Sequence, residues 1–495
     1  MQFERASGIL LHPTSLPGKY GIGDMGKQAY KFVDFLVKSR QKLWQLCPLG
    51  PTGYGDSPYQ CFSAMAGNPL LISLEDLVLA GIVSEDDLTL PQKFPEEEVD
   101  YGPVIGFKYT VLRKAYANFK KKAYSLIHTK FTNFCDHHSA WLEDYTLFMA
   151  LKNYFNGKPW SRWDDDIRLR EPEAIERYKK ELEDEIMFHK FLQYIFYDQW
   201  LQLRAYANRN YVKLIGDIPI FVSFDSSDAW ANPEIFQFNE DRRPIKVAGV
   251  PPDYFSATGQ LWGNPVYDWD KLEETGFAWW IENIKSKLEL YDIIRIDHFR
   301  GFAAYWAVPA EEKTAIKGEW VPAKGYELFK TVEKALGGLP IIAEDLGVIT
   351  PDVEELRDYF KFPGMKILQF AFDSSEENDY LPHNYARNCV VYTGTHDNDT
   401  VVGWYDKANE VDKKWATEYV NSNGTDVHWD FIRACWSSVA VMAVTPLQDV
   451  LGLGSEARMN TPGTASGNWQ WRFTNEQLTD EHAQRLAHLS GLFNR

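Results

Sequence analysis

Several short apolar runs end in carboxylates, and these endings are where bond-making chemistry can be read. In Ile293-Ile294-Arg295-Ile296-Asp297 the period-2 alternation of a strand puts Arg295 and Asp297 on the face opposite Ile294 and Ile296. An inward arginine keeps the carboxylate beside it ionised, as a nucleophile must be, although the same pair would also serve as a structural ion pair. Pro340-Ile341-Ile342-Ala343-Glu344-Asp345 ends in two adjacent acids that an extended chain points to opposite faces. Glu344, in phase with Ile342, is the one expected to enter a site. Apolar and aromatic neighbours would raise its pKa into the range of a general acid at neutral pH. Asp345 then reads as a structural residue anchoring a neighbouring loop.

A third run leads into Thr393-Gly394-Thr395-His396-Asp397-Asn398-Asp399, too dense in polar groups for a core and too short for a disordered loop. His396 and Asp397 could hydrogen-bond adjacent hydroxyls of a sugar ring, and the alternative is an Asx-type turn capping the next helix. Gly216-Asp217-Ile218-Pro219 ends a fourth run in the same way. Asp217 is a further sugar contact or ordinary turn chemistry. Two carboxylates flanking a scissile bond are what glycoside chemistry requires. With 18 Trp, 26 Tyr and 30 Phe to offer flat faces, carbohydrate leads the substrate classes. The reaction needs no metal and no cofactor. The 11 histidines show no His-Glu-x-x-His spacing, and the close pair His137-His138 reads as a solvated helical face.

Side chains of this kind must be held at strand ends, and the chain has eight strand-length apolar runs, at 8–12, 43–48, 212–217, 293–297, 340–344, 365–370, 389–394 and 443–447. Most are followed by helical periodicity. After the first, Asp24 would cap a helix with Ala29, Phe32, Val33 and Leu36 on one face. Eight such units predict an α/β fold, a (β/α)8 barrel, with active residues at the C-terminal ends of its strands. The spacing is uneven. Residues 60–210 read as an inserted, mainly helical subdomain with periodic stretches at 109–127, 141–155 and 171–208. Residues 222–281, rich in Pro, Gly and aromatics, read as long ordered loops over the barrel mouth. With no repeats or linkers, residues 1–495 are expected to form one catalytic unit.

Composition narrows the partners. The formal charge of −18 repels phosphate backbones and anionic headgroups, which argues against nucleic acid and membrane, and no apolar run is long enough for a span. No phosphate-cradling Gly-rich motif is present, so nucleotide use is disfavoured. The cysteines Cys47, Cys61, Cys135, Cys389 and Cys435 are scattered and read as reduced thiols of a cytosolic compartment.

Taken together, Ile294-Arg295-Ile296-Asp297-His298-Phe299-Arg300-Gly301, Ala343-Glu344-Asp345-Leu346-Gly347 and Thr395-His396-Asp397-Asn398 resemble the amylomaltases. These are the 4-α-glucanotransferases, or disproportionating enzymes, of glycoside hydrolase family 77. The resemblance continues through Gly55-Asp56-Ser57-Pro58-Tyr59-Gln60, Gly249-Val250-Pro251-Pro252-Asp253-Tyr254-Phe255, Gln260-Leu261-Trp262-Gly263-Asn264-Pro265 and Pro446-Leu447-Gln448-Asp449, so it covers essentially the whole chain. It implies Asp297 as nucleophile, Glu344 as general acid/base and Asp397 as the carboxylate holding the sugar in the −1 subsite. It also implies Arg295 and His396 as −1 contacts, Asp217 as a further sugar-binding acid, and Tyr59, Tyr254, Trp262 and Phe370 as aromatics lining the glucan groove. The partners implied are α-1,4-glucans, and the compartment is the bacterial cytoplasm, or the plastid stroma for a mature plant or algal chain. A hydrolytic α-amylase-type enzyme and a non-catalytic glucan-binding protein are the rivals.

Overall fold

A computed structural model describes residues 3–121, 126–252, 256–373 and 378–495. Among the described residues twelve strands fall in two sheets. The larger is built from β1 (Ala6–Leu10), β2 (Leu43–Gln45), β3 (Lys213–Pro219), β6 (Ile293–Asp297), β9 (Ile341–Ala343), β10 (Gly364–Ile367), β11 (Cys389–Tyr392) and β12 (Met442–Pro446). They run in the order β10-β11-β12-β1-β2-β3-β6-β9, every neighbouring pair parallel. The two ends of that order meet, since the Ala343 amide donates to the Pro363 carbonyl at 2.9 Å, and the sheet closes into the (β/α)8 barrel. All eight apolar runs overlap one of its strands. Some overshoot at their C-terminal ends: His12 lies beyond β1, and Phe370 lies in a 3-10 turn.

Strand phase sorts the side chains into two layers. Leu10, Leu43, Ile215, Ile293, Ile342, Met365, Ile367, Val390 and Tyr392 pack together inside the barrel. Ile218, Ile294, Ile296, Ile341 and Ala343 pack outward against the helices. Because side chains alternate, the residues two along from Ile215, Ile293 and Ile342 share the inner face. These are Asp217, Arg295 and Glu344.

The first helix, α1 (Lys27–Lys38), buries the expected Ala29, Phe32, Val33 and Leu36. Its cap differs from expectation. Gly26 occupies the N-cap, and Asp24 accepts the Gly26 amide at 3.0 Å while lying 3.5 Å from Lys108, so the acid braces the turn before the helix.

Between β2 and β3 stand α2 (Tyr101–Lys121), α3 (Leu126–His137), α4 (Ser139–Tyr154) and α5 (Glu183–Arg209), along with shorter turns. The 27-residue α5 carries acids in its first turn and Arg209 in its last, complementing its dipole. Its glutamines dock the neighbouring loop as backbone mimics. Gln193 both accepts from and donates to Gly67 at 2.8 Å, and Gln199 does the same with Ser73 at 2.7 and 3.0 Å. Only glycine fits at 67, where a Cβ would lie 2.1 Å from the Phe196 ring.

Between residues 222 and 281, where long loops are expected, the chain forms β4 (Lys246–Val250) and β5 (Gln260–Pro265). They join β7 (Ala304–Pro309) and β8 (Glu319–Pro322) in an antiparallel sheet ordered β5-β4-β7-β8. Its central pairing, β4 with β7, is long-range and leaves no local turn signal in the sequence. A further helix, α6 (Ala278–Leu290), leads from this region into β6. Among the described residues no helix is long and apolar enough to cross a membrane.

Candidate active site

At the C-terminal ends of the adjacent strands β3, β6 and β9 the inward side chains form one charged cluster. Arg295, 4% exposed, donates through one guanidinium nitrogen to Asp217 at 2.6 Å and to Asp297 at 3.0 Å, while its Nε lies 3.3 Å from the Met365 sulfur. Asp217, 1% exposed, also accepts the Tyr59 hydroxyl at 2.7 Å. Glu344 accepts two backbone amides, His298 N at 2.6 Å on one oxygen and Leu346 N at 2.9 Å on the other.

Burial sets the electrostatics. Desolvation, reinforced by the nearby negative Asp297, pushes the Glu344 carboxyl up to about 7. Desolvation likewise raises Asp297, to about 6, against the pull of Arg295. Arg295 favours the ionised form of Asp297, as expected, but burial opposes it. The guanidinium is shared with Asp217, its shorter partner, and the low dielectric around Asp297 outweighs what remains. Both carboxyls are raised by burial, Glu344 with the added repulsion of Asp297 and Asp297 with the opposing attraction of Arg295.

The end of β11 supplies the opposite wall. Burial disfavours charge on Asp397, but His396 at 3.4 Å and the Asn460 side-chain amide at 2.6 Å more than offset it and hold the carboxyl down at about 2. His396 is correspondingly raised by Asp397 against its own desolvation. The imidazole lies stacked on Tyr59, ring centres 5.0 Å apart. The turn reading of this segment also has substance, since Asn398 accepts the Thr395 amide at 2.8 Å and so sets the loop that presents Asp397. The next helix is capped instead by Thr400, whose side chain accepts the Gly403 amide at 3.0 Å.

A family model described as 4-alpha-glucanotransferase matches residues 11–479. The 4-alpha-glucanotransferase of Synechocystis sp. is 53% identical, over 99% of this chain and 98% of that protein. The chain belongs to the 4-alpha-glucanotransferase family. The enzyme of that name from Thermus thermophilus is 51% identical over 98% of each chain. Among solved structures, the amylomaltase from Streptococcus agalactiae in complex with acarbose superposes with a TM-score of 0.96 at 43% identity, covering 99% of this chain and 100% of that one.

Against the positions expected for a 4-alpha-glucanotransferase, the structure brings Asp217, Arg295, Asp297, Glu344, His396, Asp397 and Tyr59 into one network. Asp217 lies too deep to offer itself as a simple surface contact. Its place is beneath the guanidinium. Asp345 turns away, accepting the Met365 amide at 2.7 Å and pairing with Arg357 at 2.6 Å, which fits an anchor. Trp262, on β5, packs edge-to-face with the His298 ring, ring centres 4.7 Å apart. Phe370 is 37% exposed and packs edge-on to Tyr380. Tyr254 lies outside the described residues.

Three participants carry no mark in the strand pattern. His298 sits in the left-handed region at φ 54°, a conformation that costs a non-glycine residue about 1 kcal/mol or more, and this aims its amide at Glu344. His is among the residue types that tolerate this region, which is the one available hint. Asn460 and Trp469 come from the loop after β12, beyond any predicted element, the latter with its ring 5.6 Å from His396.

Proposed function

We propose that this 4-alpha-glucanotransferase works by retaining double displacement, with Asp297 as nucleophile and Glu344 as general acid and base. It moves segments of α-1,4-glucan between maltodextrin or starch chains. The observation that carries the assignment is the unlike setting of two carboxyls on adjacent strands: Asp297 is held at 3.0 Å by the Arg295 guanidinium, whereas Glu344 accepts two backbone amides and is raised by burial and by the charge of Asp297.

In the first half-reaction an Asp297 oxygen attacks the anomeric carbon as the bond from that carbon to the glycosidic oxygen breaks, and Glu344 gives the departing glycosidic oxygen its proton. A glycosyl ester on Asp297 results. In the second half the 4-hydroxyl of an acceptor glucan attacks the same carbon, Glu344 takes its proton and Asp297 departs. One α-1,4 bond is broken and one formed. Asp397, held ionised, and His396 grip hydroxyls of the −1 sugar and stabilise the oxocarbenium-like centre. Arg295 fixes Asp297, and Asp217 with Tyr59 fixes Arg295. Maltotriose incubated with the protein should give glucose plus a ladder of longer maltodextrins. Shorter sugars alone would point to a hydrolase, and no change to a binding protein.

The order of the two carboxyls also predicts the pH profile. Turnover needs Asp297 ionised and Glu344 protonated, so kcat/KM should rise as pH climbs through about 6 and fall above about 7. Because the groups interact, the two apparent values belong to the pair. A profile flat from pH 5 to 8 would contradict this reading.

Transfer over hydrolysis requires that an acceptor displace water. Trp262 and Tyr254, with Phe370 and Tyr59 as further walls of the groove, are assigned to the sugar path, and Trp262 packs on His298, whose amide binds Glu344. In Trp262→Ala a stacking surface worth about 1 kcal/mol is lost and water enters. Reducing ends formed per segment transferred should rise on maltotriose. Equal loss of both reactions in a folded variant would make this tryptophan structural.

A further inference from the structure

Far from the carboxylate cluster, the corner between α3 and α4 lies against the last turn of α6. Among the described residues His137, His138 and Glu289 each place one ligand atom within 4.8 Å of the others. Consecutive residues on an unbroken helix diverge by about 100° around its axis. Here His137 closes α3 and His138, at φ −102° and ψ 11°, breaks the helix before α4, so the two imidazoles come together, ring centres 4.8 Å apart and perpendicular. The solvated face expected of this pair holds for His137 only. His138 is 5% exposed and fixed between the Phe134 and Tyr197 rings at 4.5 and 4.9 Å.

We propose that His137, His138 and Glu289 form a binding site for a divalent transition-metal cation of the zinc type, which ties the α3–α4 corner to the end of α6. The chemistry of the donors fits: two imidazoles and a carboxylate make three of the four ligands of a tetrahedral site, with solvent on the open His137 side as the fourth. The spacing fits as well. His138 Nε2 and Glu289 Oε1 are 3.5 Å apart. That is longer than an ordinary N–H···O hydrogen bond of about 2.7–3.2 Å, and close to the separation of two ligands each about 2.0–2.2 Å from one zinc ion. Rotation of the exposed His137 side chain closes the remaining gap.

Neighbouring groups leave the ligands available. Lys285 pairs with Glu282 at 3.1 Å, and Arg204 with Asp292 at 2.9 Å. Arg204 also donates to the Glu289 carbonyl, which fixes the backbone that carries the third ligand. Since α6 runs directly into β6, the strand of Arg295 and Asp297, a metal here would brace the strand's approach without touching substrate.

The test is a calorimetric titration of the metal-stripped, full-length protein with Zn2+, repeated on His137→Ala, Glu289→Gln and Cys135→Ser. The last is included because Cys135 shares α3 and is the nearest thiol in sequence. One Zn2+ should bind per chain and raise the unfolding temperature. Since even outer partners of a metal site are worth about 10- to 100-fold in affinity, losing either ligand should weaken binding at least about tenfold. Cys135→Ser should bind as the parent does. Both ligand variants remove solvent-exposed or half-exposed side chains and should fold. Circular dichroism of each verifies this. Absence of saturable binding, binding unchanged in both ligand variants, or binding lost only with Cys135 would each overturn the site.

Discussion

Asp297→Asn should abolish glucan transfer, with kcat/KM on maltotriose falling by about 10⁴-fold or more, equivalent to about 5.4 kcal/mol of transition-state stabilisation. The size follows from what the side chain does. An amide neither attacks the anomeric carbon nor offsets positive charge developing there, so both half-reactions lose their partner. The substitution is otherwise mild. Asn is isosteric, and its oxygen can still accept from Arg295, which keeps its stronger hold on Asp217 at 2.6 Å. Stability and glucan binding should therefore survive, and only turnover should fall. The measurement needs protein free of host glucosidases and checked by mass for deamidation back to Asp. Residual turnover within tenfold of the parent would remove Asp297 from the nucleophile's place.

The reactive strand ends were the legible part of this chain because a single rule, alternation along a strand, fixes them. Ile293, Arg295 and Asp297 share a phase, as do Ile342 and Glu344, and the inner layer of the barrel packs on those isoleucines. What each side chain meets is a different matter. The same phase puts Asp217 inward, but nothing in a strand pattern tells that one guanidinium nitrogen of Arg295 bridges it to Asp297. Charge balance is likewise hidden, since the pKa of Asp297 depends on how much low-dielectric material surrounds it, and burial prevails over the adjacent arginine.

What escaped the sequence altogether depends on backbone geometry or on distant loops. His298 acts through its amide, which reaches Glu344 only because the residue takes a positive φ. Asn460 reaches Asp397 from a segment with no periodic signal. Within residues 222–281, β4 and β5 escape a reading as loops only in the folded chain, because they are short, contain Gly or Pro, and join a sheet in which β4 pairs with β7 across tens of residues. His138 looked like half of a solvated pair because helical periodicity does not register the break at that residue.

Glu344→Gln should lower transfer from ordinary glucans by about 10²- to 10⁴-fold, the usual range for loss of a general acid. The two amides around the carboxyl sharpen this expectation. Glu344 accepts from His298 and Leu346 on separate oxygens, and a glutamine offers one oxygen and one NH2, so one amide must face a donor. That mismatch costs about 1–3 kcal/mol, and Glu344→Ala is the companion that avoids it. An activated donor separates acid catalysis from a general disturbance of the site. In α-glucosyl fluoride the leaving group departs without a proton, so both variants should still release fluoride in the first step and then stall, because no base deprotonates the acceptor. Mass spectrometry of the quenched protein should find a glucosyl adduct on Asp297. Azide, a nucleophile that needs no deprotonation, should restore turnover and give α-glucosyl azide, the retained product. The fall in rate above about pH 7 seen with the parent on glucans should also vanish, since the group that loses its proton there is gone. Fluoride release with no adduct and no azide effect would assign the proton transfer to another residue.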